Sequence, residues 1–304
     1  MDYVVISKNC KACKYWEERQ DQAGYAAWKT DHKCPVNHEG SPGSMESKGA
    51  VSMFKRSIKF NKLRYVSYLG DGDSSSYADV VKSDPYPGIK INKLECVGHV
   101  QKRLGSRLRT LRTNMKGKKL SDGKPLTGRG RLTEKVMNSL QNYYGMSIRS
   151  NTGQLYAMKK SIAAIIHHCS ANDNSTQRHM YCPRDPNTTR CKYWKTEENI
   201  ANYKPSINIP PAVAKVVNPI FSHANLGEDK LLKRCLHGQT QNVNEALSQL
   251  IWKRCHKTSV AGKEVVDIAT AGAVLQYNDG GHGIVKVVKR LNKLDISLVT
   301  VLCV

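Results

Sequence analysis

A strand that ends in a carboxylate-rich turn is encoded by residues 63–76, LRYVSYLGDGDSSS. Its first part, Leu63 to Leu69, combines aromatic and β-branched side chains and predicts a buried strand. The Gly, Asp and Ser residues that follow favour a turn. The sequence therefore predicts that Asp71, with Asp73 two residues later, lies at the carboxyl end of a strand. The same composition is typical of an ordinary surface turn, and both interpretations stand.

Helical and extended patterns alternate around this strand. Residues 2–7 form a short β-branched and aromatic run that predicts another strand, and residues 44–58 predict a helix with Ser44 as its N-cap. Further helices are predicted over residues 94–111, 132–144, 154–168 and 243–254. This order predicts an α/β fold whose core is interrupted by a large, mainly helical insertion.

The charge balance indicates a polyanionic partner. The chain has 48 Lys and Arg against 25 Asp and Glu, a formal net charge of +23 over 304 residues. Nucleic acid fits this excess better than a membrane surface does, because no apolar run approaches about 18 residues. A ribosomal or chaperone-like basic protein is the alternative. The first residues, MDYVVISKNC, lack the pattern of a secretory signal, so we expect a reduced, intracellular protein.

The strongest basic signal lies between Gln101 and Lys135. Twelve Lys or Arg occur there against two acids, Asp122 and Glu134. A solvated helix face normally mixes signs, so this bias predicts contacts with DNA phosphates. The candidate DNA-binding residues are Lys102, Arg103, Arg107, Arg109, Arg112, Lys116, Lys118, Lys119, Arg129 and Arg131.

Ten cysteines in a reduced chain are metal ligands or free thiols rather than disulfides. Cys10 and Cys13 form a Cys-x2-Cys pair, and Cys34 and His38 form a Cys-x3-His pair. These ligand types and spacings predict a structural zinc site. A reduced cysteine pair in a loop is the competing interpretation.

A second possible zinc set has the right chemistry and irregular spacing. It comprises His168, His179, Cys182 and Cys191. Its first member belongs to the run His167-His168-Cys169, which offers several alternative ligands. The sequence therefore leaves both the ligand choice and the presence of a metal open.

A further carboxylate, Glu245, lies in the predicted helix 243–254 and points away from its apolar stripe. Periodicity alone indicates a solvated glutamate, but Trp252, seven residues later, shares its face. Carboxylates that converge from separate elements are the ligands that a two-metal phosphoryl-transfer site requires. Cys96 and His99 are predicted neighbours on one helical face, where they could bind a metal or form a buried hydrogen bond. Because only two such ligands occur together, a structural role such as a buried hydrogen bond is favoured over metal binding.

The ordered set of these motifs resembles Mutator-like transposases. The set comprises Asp71 after its strand, Glu95-Cys96-Val97-Gly98-His99 with its Cys-x-x-His, and Asn242-Val243-Asn244-Glu245. The segments SKNCKAC at 7–13 and GSME at 43–46 are similar to the animal branch of the family. The resemblance covers roughly residues 1–292.

The resemblance implies a ribonuclease-H-like catalytic fold and DNA strand cleavage and transfer with Mg²⁺ or Mn²⁺. It implies that Asp71 is the second catalytic acid and Glu245 the third, with Cys96 and His99 ordering the site. It also implies a nuclear protein that acts on DNA, as a possible homo-oligomer on transposon ends, with no membrane association. The implied division is residues 1–93 and 236–304 for the core and 94–235 for the helical, basic insertion.

One part of the family pattern is missing. The first catalytic aspartate precedes the strand that opens this sequence, so the chain is expected to be a fragment lacking that acid. Asp2 is the nearby candidate substitute. Whether the chain is an enzyme is therefore open. A catalytically inactive, domesticated DNA-binding zinc protein is the main alternative, and a zinc-bearing RNA-binding protein is another.

Overall fold

The computed structural model describes residues 1–72, 75–172, 174–185, 189, 191–195, 205–222, 225–258 and 261–292. The chain forms two compact units. The first unit comprises residues 1–66, 73–91 and 242–304, and the second unit comprises residues 67–72 and 92–241. The division into 1–93, 94–235 and 236–304 stays a prediction.

Helices dominate the described residues. In chain order the elements are α1 (Lys11–Glu17), α2 (Tyr25–Asp31), α3 (Pro42–Asn61), β1 (Ser67–Gly70), α4 (Ser75–Lys82), β2 (Asn92–Glu95), α5 (Val97–Asn114), α6 (Glu134–Arg149), α7 (Leu155–Cys169), α8 (Ser175–Arg178), α9 (Lys192–Lys195), α10 (Pro211–Val217), α11 (Asp229–Lys233), α12 (Asn242–Arg254), α13 (Lys263–Asp279) and α14 (His282–Asn292). The predicted mixture of helix and strand is confirmed in this coarse form. None of the described helices is both long and apolar enough to cross a membrane.

The two strands form a small parallel sheet in the second unit. β1 pairs with β2 in the register Ser67↔Asn92 to Gly70↔Glu95. The strand predicted from Leu63 begins later, at Ser67. Because the strands are parallel, their carboxyl ends meet at one edge, where Asp71 follows β1 and Cys96 follows β2.

The first predicted strand, residues 2–7, is wrong, because that segment has no strand pairing. Asn37 contacts it instead. The Ser7 amide donates to Asn37 Oδ1 at 2.7 Å, and Asn37 Nδ2 donates to the Val5 carbonyl at 3.0 Å. A single asparagine thus satisfies backbone groups that a neighbouring strand would otherwise pair.

Helix α3 begins earlier than predicted. Ser41, not Ser44, is the N-cap, and its side chain accepts a hydrogen bond from the Ser44 amide. Pro42 occupies the first helical turn, where its fixed φ is favourable and its missing N–H costs nothing. The predicted helices over 132–144, 154–168 and 243–254 are confirmed as α6, α7 and α12. The helix predicted over 94–111 is confirmed as α5 except at its start, because Leu94 and Glu95 belong to β2 and α5 begins at Val97.

The second unit has a continuous apolar core formed chiefly by α5, α6 and α7. Buried side chains recur at helical spacing, and the largest of them include Leu104, Leu108, Met137, Leu140, Tyr144, Ile148, Met158 and Ile162. The Tyr144 hydroxyl donates to the Leu226 carbonyl at 2.8 Å, so its burial leaves no polar atom unsatisfied. This core contains α5, which carries part of the basic tract, and α7, which carries His168; Cys182, Cys191 and Tyr193 form a separate small buried cluster.

Candidate metal centres and nucleic-acid surface

Three cysteines and one histidine converge in the first unit. We call Cys10, Cys13, His32 and Cys34 the first cluster; their ligand atoms all lie within 4.8 Å of one another. His32 Nε2 lies 3.4 Å from Cys10 Sγ and 3.2 Å from Cys13 Sγ, and the sulfurs of Cys13 and Cys34 are 3.6 Å apart. Tetrahedral zinc with Zn–S bonds of about 2.3 Å separates its sulfurs by roughly 3.8 Å, so the donor set fits zinc.

Local structure positions these ligands at helix ends. Cys10 is the N-cap of α1, and its sulfur accepts a hydrogen bond from the Cys13 amide at 3.4 Å. His32 is the C-cap residue of α2, and its ring stacks on Trp28 with 4.5 Å between centroids. Neither α1 nor α2 has a buried residue. Apolar burial in these two helices is therefore small, and the cluster joins the start of α1 to the end of α2.

The structure corrects the fourth ligand of the first cluster. The sequence spacing predicts His38, but this residue lies outside the cluster, buried with Nε2 at 2.8 Å from Ser44 Oγ. The reason is where α2 ends. Because the helix stops at Asp31, the next residue, His32, reaches the cysteines, whereas His38 precedes α3 and bonds to its first turn.

The pKa values of two thiols in the first cluster, Cys10 and Cys13, are shifted in opposite directions. Burial raises the pKa of Cys10, but hydrogen bonds from the Cys13 and Ala12 amides outweigh it and leave that pKa lowered. Burial and the adjacent Cys10 and Cys34 thiols raise the pKa of Cys13 to about 12. Without a cation only part of the set deprotonates. A divalent ion would displace these protons and stabilise every sulfur as thiolate.

The second cluster lies in the second unit and contains the four predicted residues His168, His179, Cys182 and Cys191, with ligand atoms within 4.8 Å. Cys191 Sγ lies 3.2 Å from His179 Nδ1, and Cys182 Sγ lies 3.4 Å from His168 Nδ1. The donor set again fits zinc. A hydrogen bond with Cys182 lowers the pKa of Cys191 and raises that of Cys182, so the two thiols share one proton unequally.

The ligands of the second cluster and the residues next to them make several stacking and hydrogen-bond contacts with the rest of the protein. The His179 ring stacks on Tyr193 with centroids 4.3 Å apart, and Trp194 Nε1 donates to the His179 carbonyl at 3.1 Å. Arg178 joins this segment to the helical core, because it donates to the carbonyls of His168 and Ile207 at 2.8 and 2.6 Å. The second cluster therefore has protein contacts that do not depend on a metal.

The sheet edge contains Asp71 and a buried ion pair. Glu95 is 3 % exposed at the end of β2. Arg103 Nη2 donates to Glu95 Oε2 at 2.8 Å and to the Asp71 main-chain carbonyl at 2.7 Å. Arg234 Nη1 lies 3.7 Å from Glu95 Oε1. Arg103, a predicted DNA contact, is thus engaged in holding the turn that contains the exposed residue Asp71.

The Cys-x-x-His residues follow this edge. Cys96 is the buried N-cap of α5, and its sulfur accepts a hydrogen bond from the Gln241 amide at 3.3 Å. His99 lies in the first turn of α5, and its Nδ1 is buried without a hydrogen bond to any described residue. Within the described ranges, neither residue belongs to a group of three or more metal ligands. The contacts of Cys96 fit the structural role.

The remaining predicted acids do not join a described ligand group. Asp73 lies outside the described residues. Glu245 is exposed on α12 in the first unit, and Trp252 on the same helix is 39 % exposed. Asp2 is paired with Arg56, whose Nη2 lies 2.5 Å from Asp2 Oδ1. Neither Glu245 nor Asp2 belongs to a group of three or more ligand side chains in the part of the chain that the structure describes.

The basic tract separates into paired and exposed members. Arg109 and Arg112 both donate to Glu134, at 2.6 and 2.8 Å, and the Arg131 side chain, 7 % exposed, pairs with Asp122 at 2.6 Å. Apart from Arg103, which pairs with Glu95, the other predicted contacts are exposed and, among the described residues, have no carboxylate within 4.0 Å. We call them the basic surface: Lys102, Arg107, Lys116, Lys118, Lys119 and Arg129.

Sequence reasoning does not find three residues at these sites, namely His32, Glu95 and Arg234. The His-x-Cys spacing of His32 and Cys34 is a usable signal, since short spacings are common among zinc ligands. The buried pairing of Glu95 with Arg103 and Arg234 has no sequence signal, because it depends on the parallel sheet and joins Glu95 to Arg234, which is distant in the chain.

Comparison with known proteins gives the family. A model of the Mutator-like transposase family matches residues 1–191, more than half of the chain. No curated protein and no solved structure matched. The matched range contains the first cluster, Asp71, the Cys-x-x-His residues, the basic surface and the second cluster. The chain therefore belongs to the Mutator-like transposase family.

Proposed function

We propose that this chain binds duplex DNA through the basic surface as part of a Mutator-like DNA transposase. The observation that carries the proposal is the exposure of six cations along α5 and the loop that follows it, none of which has a carboxylate partner among the described residues. In the same tract, the arginines nearest to acids are neutralised. The acids of the tract thus balance only part of its positive charge, and the remaining cations are available to a polyanion.

The chemistry of this surface suits phosphates rather than a particular base sequence. Lysine and arginine contacts to phosphate displace condensed counterions, so binding weakens steeply with salt. Gly117, Gly128 and Gly130 in the loop have positive φ values, and a Cβ built at Gly117 or Gly130 would meet open space. Small residues at exposed turns let a backbone approach DNA closely. Sequence preference is not part of the proposal.

Zinc is proposed as the cofactor of both Cys/His clusters. When bound, the ion would cross-link residues from separate helices and supply no redox or hydrolytic chemistry with four protein ligands in place. In the first cluster the ligands are Cys10, Cys13, His32 and Cys34. In the second they are His168, His179, Cys182 and Cys191.

The catalytic part of the proposal rests on the family resemblance. It assigns a ribonuclease-H-like core that uses Mg²⁺ or Mn²⁺, with Asp71 and Glu245 as metal-binding acids and Asp73 as an alternative to Asp71. The proposal assigns no residue as the family's first aspartate, and Asp2 is paired with Arg56. Nuclear location and assembly on transposon ends belong to the same proposal.

Duplex binding is tested by charge reversal on the full chain. Replacing Lys102, Arg107 and Lys118 with Glu should weaken binding to a duplex of arbitrary sequence and flatten the dependence of log K on log salt, by roughly one for each phosphate that is no longer neutralised. The matched control replaces Lys215, Lys230 and Lys233 with Glu, which makes the same charge change at exposed sites of the same unit. Equal weakening in both variants would contradict a localised surface.

Strand cleavage separates the transposase from the domesticated DNA-binding alternative. We expect no Mg²⁺- or Mn²⁺-dependent nicking of supercoiled plasmid by this chain alone, because two assigned acids cannot hold both metals in position. Nicking that Asp71→Asn and Glu245→Gln both abolish would overturn this expectation. If the chain is inactive but the addition of an upstream aspartate strand restores nicking, the domesticated alternative fails.

A further inference from the structure

An open groove with aromatic walls adjoins the first cluster. It has a volume of about 500 Å³. Its lining includes Trp16, Tyr25 and Trp28 together with Lys8, Lys14 and Lys29. The basic surface and the catalytic assignments use none of these residues. The groove is therefore a separate feature, and its aromatic and cationic parts indicate which chemistry it accepts.

The three rings form one partly accessible π surface. Trp16 and Trp28 stack with centroids 5.6 Å apart and an interplanar angle of 27°. Tyr25 lies 5.8 Å from each of them. All three side chains are half-buried, so part of each ring faces the groove. Planar aromatic groups, including nucleobases, stack on such surfaces without regard to base identity.

The charges beside the rings disfavour a cationic ligand and favour an anionic one. Lys8, Lys14 and Lys29 line the groove against a single lining acid, Glu17. Lys29 Nζ already lies 5.4 Å from the centre of the Tyr25 ring. An aromatic cage for a methylated ammonium group needs its ring faces clear of other cations. A ligand with flat bases and negative phosphates satisfies both parts of the groove.

The first cluster forms part of the wall of this groove. Cys10, Cys13 and His32 are also among its lining residues. The His32 ring stacks on Trp28 at 4.5 Å with an interplanar angle of 24°. A metal bound by His32 Nε2 would fix that ring and, through it, the position of Trp28. Metal binding and ligand binding are thus expected to be linked.

We propose that this groove binds unpaired nucleotides of single-stranded DNA. A base stacks on Trp16, whose ring Trp28 supports from its other face, and Lys14 and Lys29 contact the phosphates. The inference goes beyond the proposed function, because it concerns unpaired rather than duplex DNA and residues of the first unit. Failure of one proposal leaves the other standing, since each is tested by substitutions that do not touch the other surface.

The test uses the full zinc-loaded chain with Lys102, Arg107 and Lys118 changed to Glu, which suppresses binding through the basic surface. An oligothymidine on the order of ten nucleotides, a typical site size, is added while tryptophan fluorescence and anisotropy are recorded. Quenching is expected. Trp16→Ala should weaken binding by roughly fivefold or more, as expected for loss of one base–ring stack. Trp28→Ala should also weaken binding, because Trp28 supports the Trp16 ring. Trp252→Phe, outside the groove, should bind as before.

A second pair of variants avoids the risk that a tryptophan change unfolds the region. Lys14→Glu with Lys29→Glu should weaken binding, whereas Lys11→Glu with Lys33→Glu, an equal charge change off the groove, should have a smaller effect. Chelation of zinc should abolish the quenching. Absence of oligothymidine binding, equal weakening by the two lysine pairs, or equal quenching by a duplex of the same length would overturn the proposal.

Discussion

The two Cys/His clusters have the same kinds of ligand but very different surroundings. Around the first cluster, α1 and α2 have no buried residue, and Cys10 is the only ligand there that is buried. The second cluster joins a unit with a continuous apolar core, and three of its four ligands are buried. Similar ligand sets can therefore have unequal structural importance. We infer that the first region is held by its metal and the second by its core.

The largest expected effect is the loss of the first cluster. Cys10→Ser with Cys13→Ser should remove one zinc and unfold residues 10–34, because structural zinc contributes on the order of 10 kcal/mol to folding in zinc-finger peptides. Zinc content and near-ultraviolet circular dichroism would measure it. Cys182→Ser with Cys191→Ser is the matched change in the second cluster. It should also remove one zinc but leave the α5–α7 core folded. Global unfolding of the second unit in this variant would contradict the claim that its core, rather than its metal, holds it together.

A substitution in the apolar core should destabilise the second unit without releasing zinc from the first cluster. Leu104 is fully buried on α5, and Leu104→Ala should lower the free energy of unfolding of the second unit by about 2–5 kcal/mol. Zinc bound by the first cluster should be unchanged. Denaturant unfolding, with Leu63→Ala as the control at a 58 % exposed site, measures the effect. A decrease no greater than that of the control would contradict the importance of this core.

Because His32 rather than His38 lies in the first cluster, substitutions of these two histidines should have unequal effects on zinc binding. His32→Ala should release the first zinc. His38→Ala should retain it and cost about 1 kcal/mol, because it removes one hydrogen bond with Ser44. Zinc content and thermal unfolding of both variants distinguish them. Zinc loss in His38→Ala with retention in His32→Ala would make His38 the fourth ligand after all.

The smallest expected effect is a pH dependence of the second unit. The hydrogen bond from Arg131 holds the pKa of Asp122 below its ordinary value of about 3.9. The ion pair therefore stabilises the folded chain above that ordinary value, and its contribution is lost as pH falls through the lowered folded pKa. Asp122→Asn should reduce the acid sensitivity of unfolding, whereas the exposed-site control Glu264→Gln should not. Unchanged acid sensitivity in Asp122→Asn would contradict the pair's role.

The sequence predicted the helices of the second unit because their burial is periodic. Leu104 and Leu108, like Leu140 and Tyr144, recur at helical spacing, and the pattern alone locates α5 and α6. Residues 2–7 have strand composition but no partner strand. Local composition could not show that Asn37 would satisfy their backbone instead.

The sites were predictable where ligand identity is local and unpredictable where it depends on tertiary structure. Cys10 and Cys13 are fixed by their spacing. Choosing His32 over His38 required knowing where α2 ends. Charge counting predicted Arg103 as a DNA contact but could not show its contacts within the protein, which are the buried Glu95 and the Asp71 carbonyl.

Hydrogen exchange on the full chain, with and without a zinc chelator, most directly tests the claim that one region is held by metal and the other by its core. With zinc, amides of α1 and α2 should be protected along with those of α5, α6 and α7. After chelation, protection should disappear across residues 10–34 and persist in α5, α6 and α7. Protection of α1 and α2 that survives complete zinc removal would contradict the account, as would its loss throughout α5 to α7.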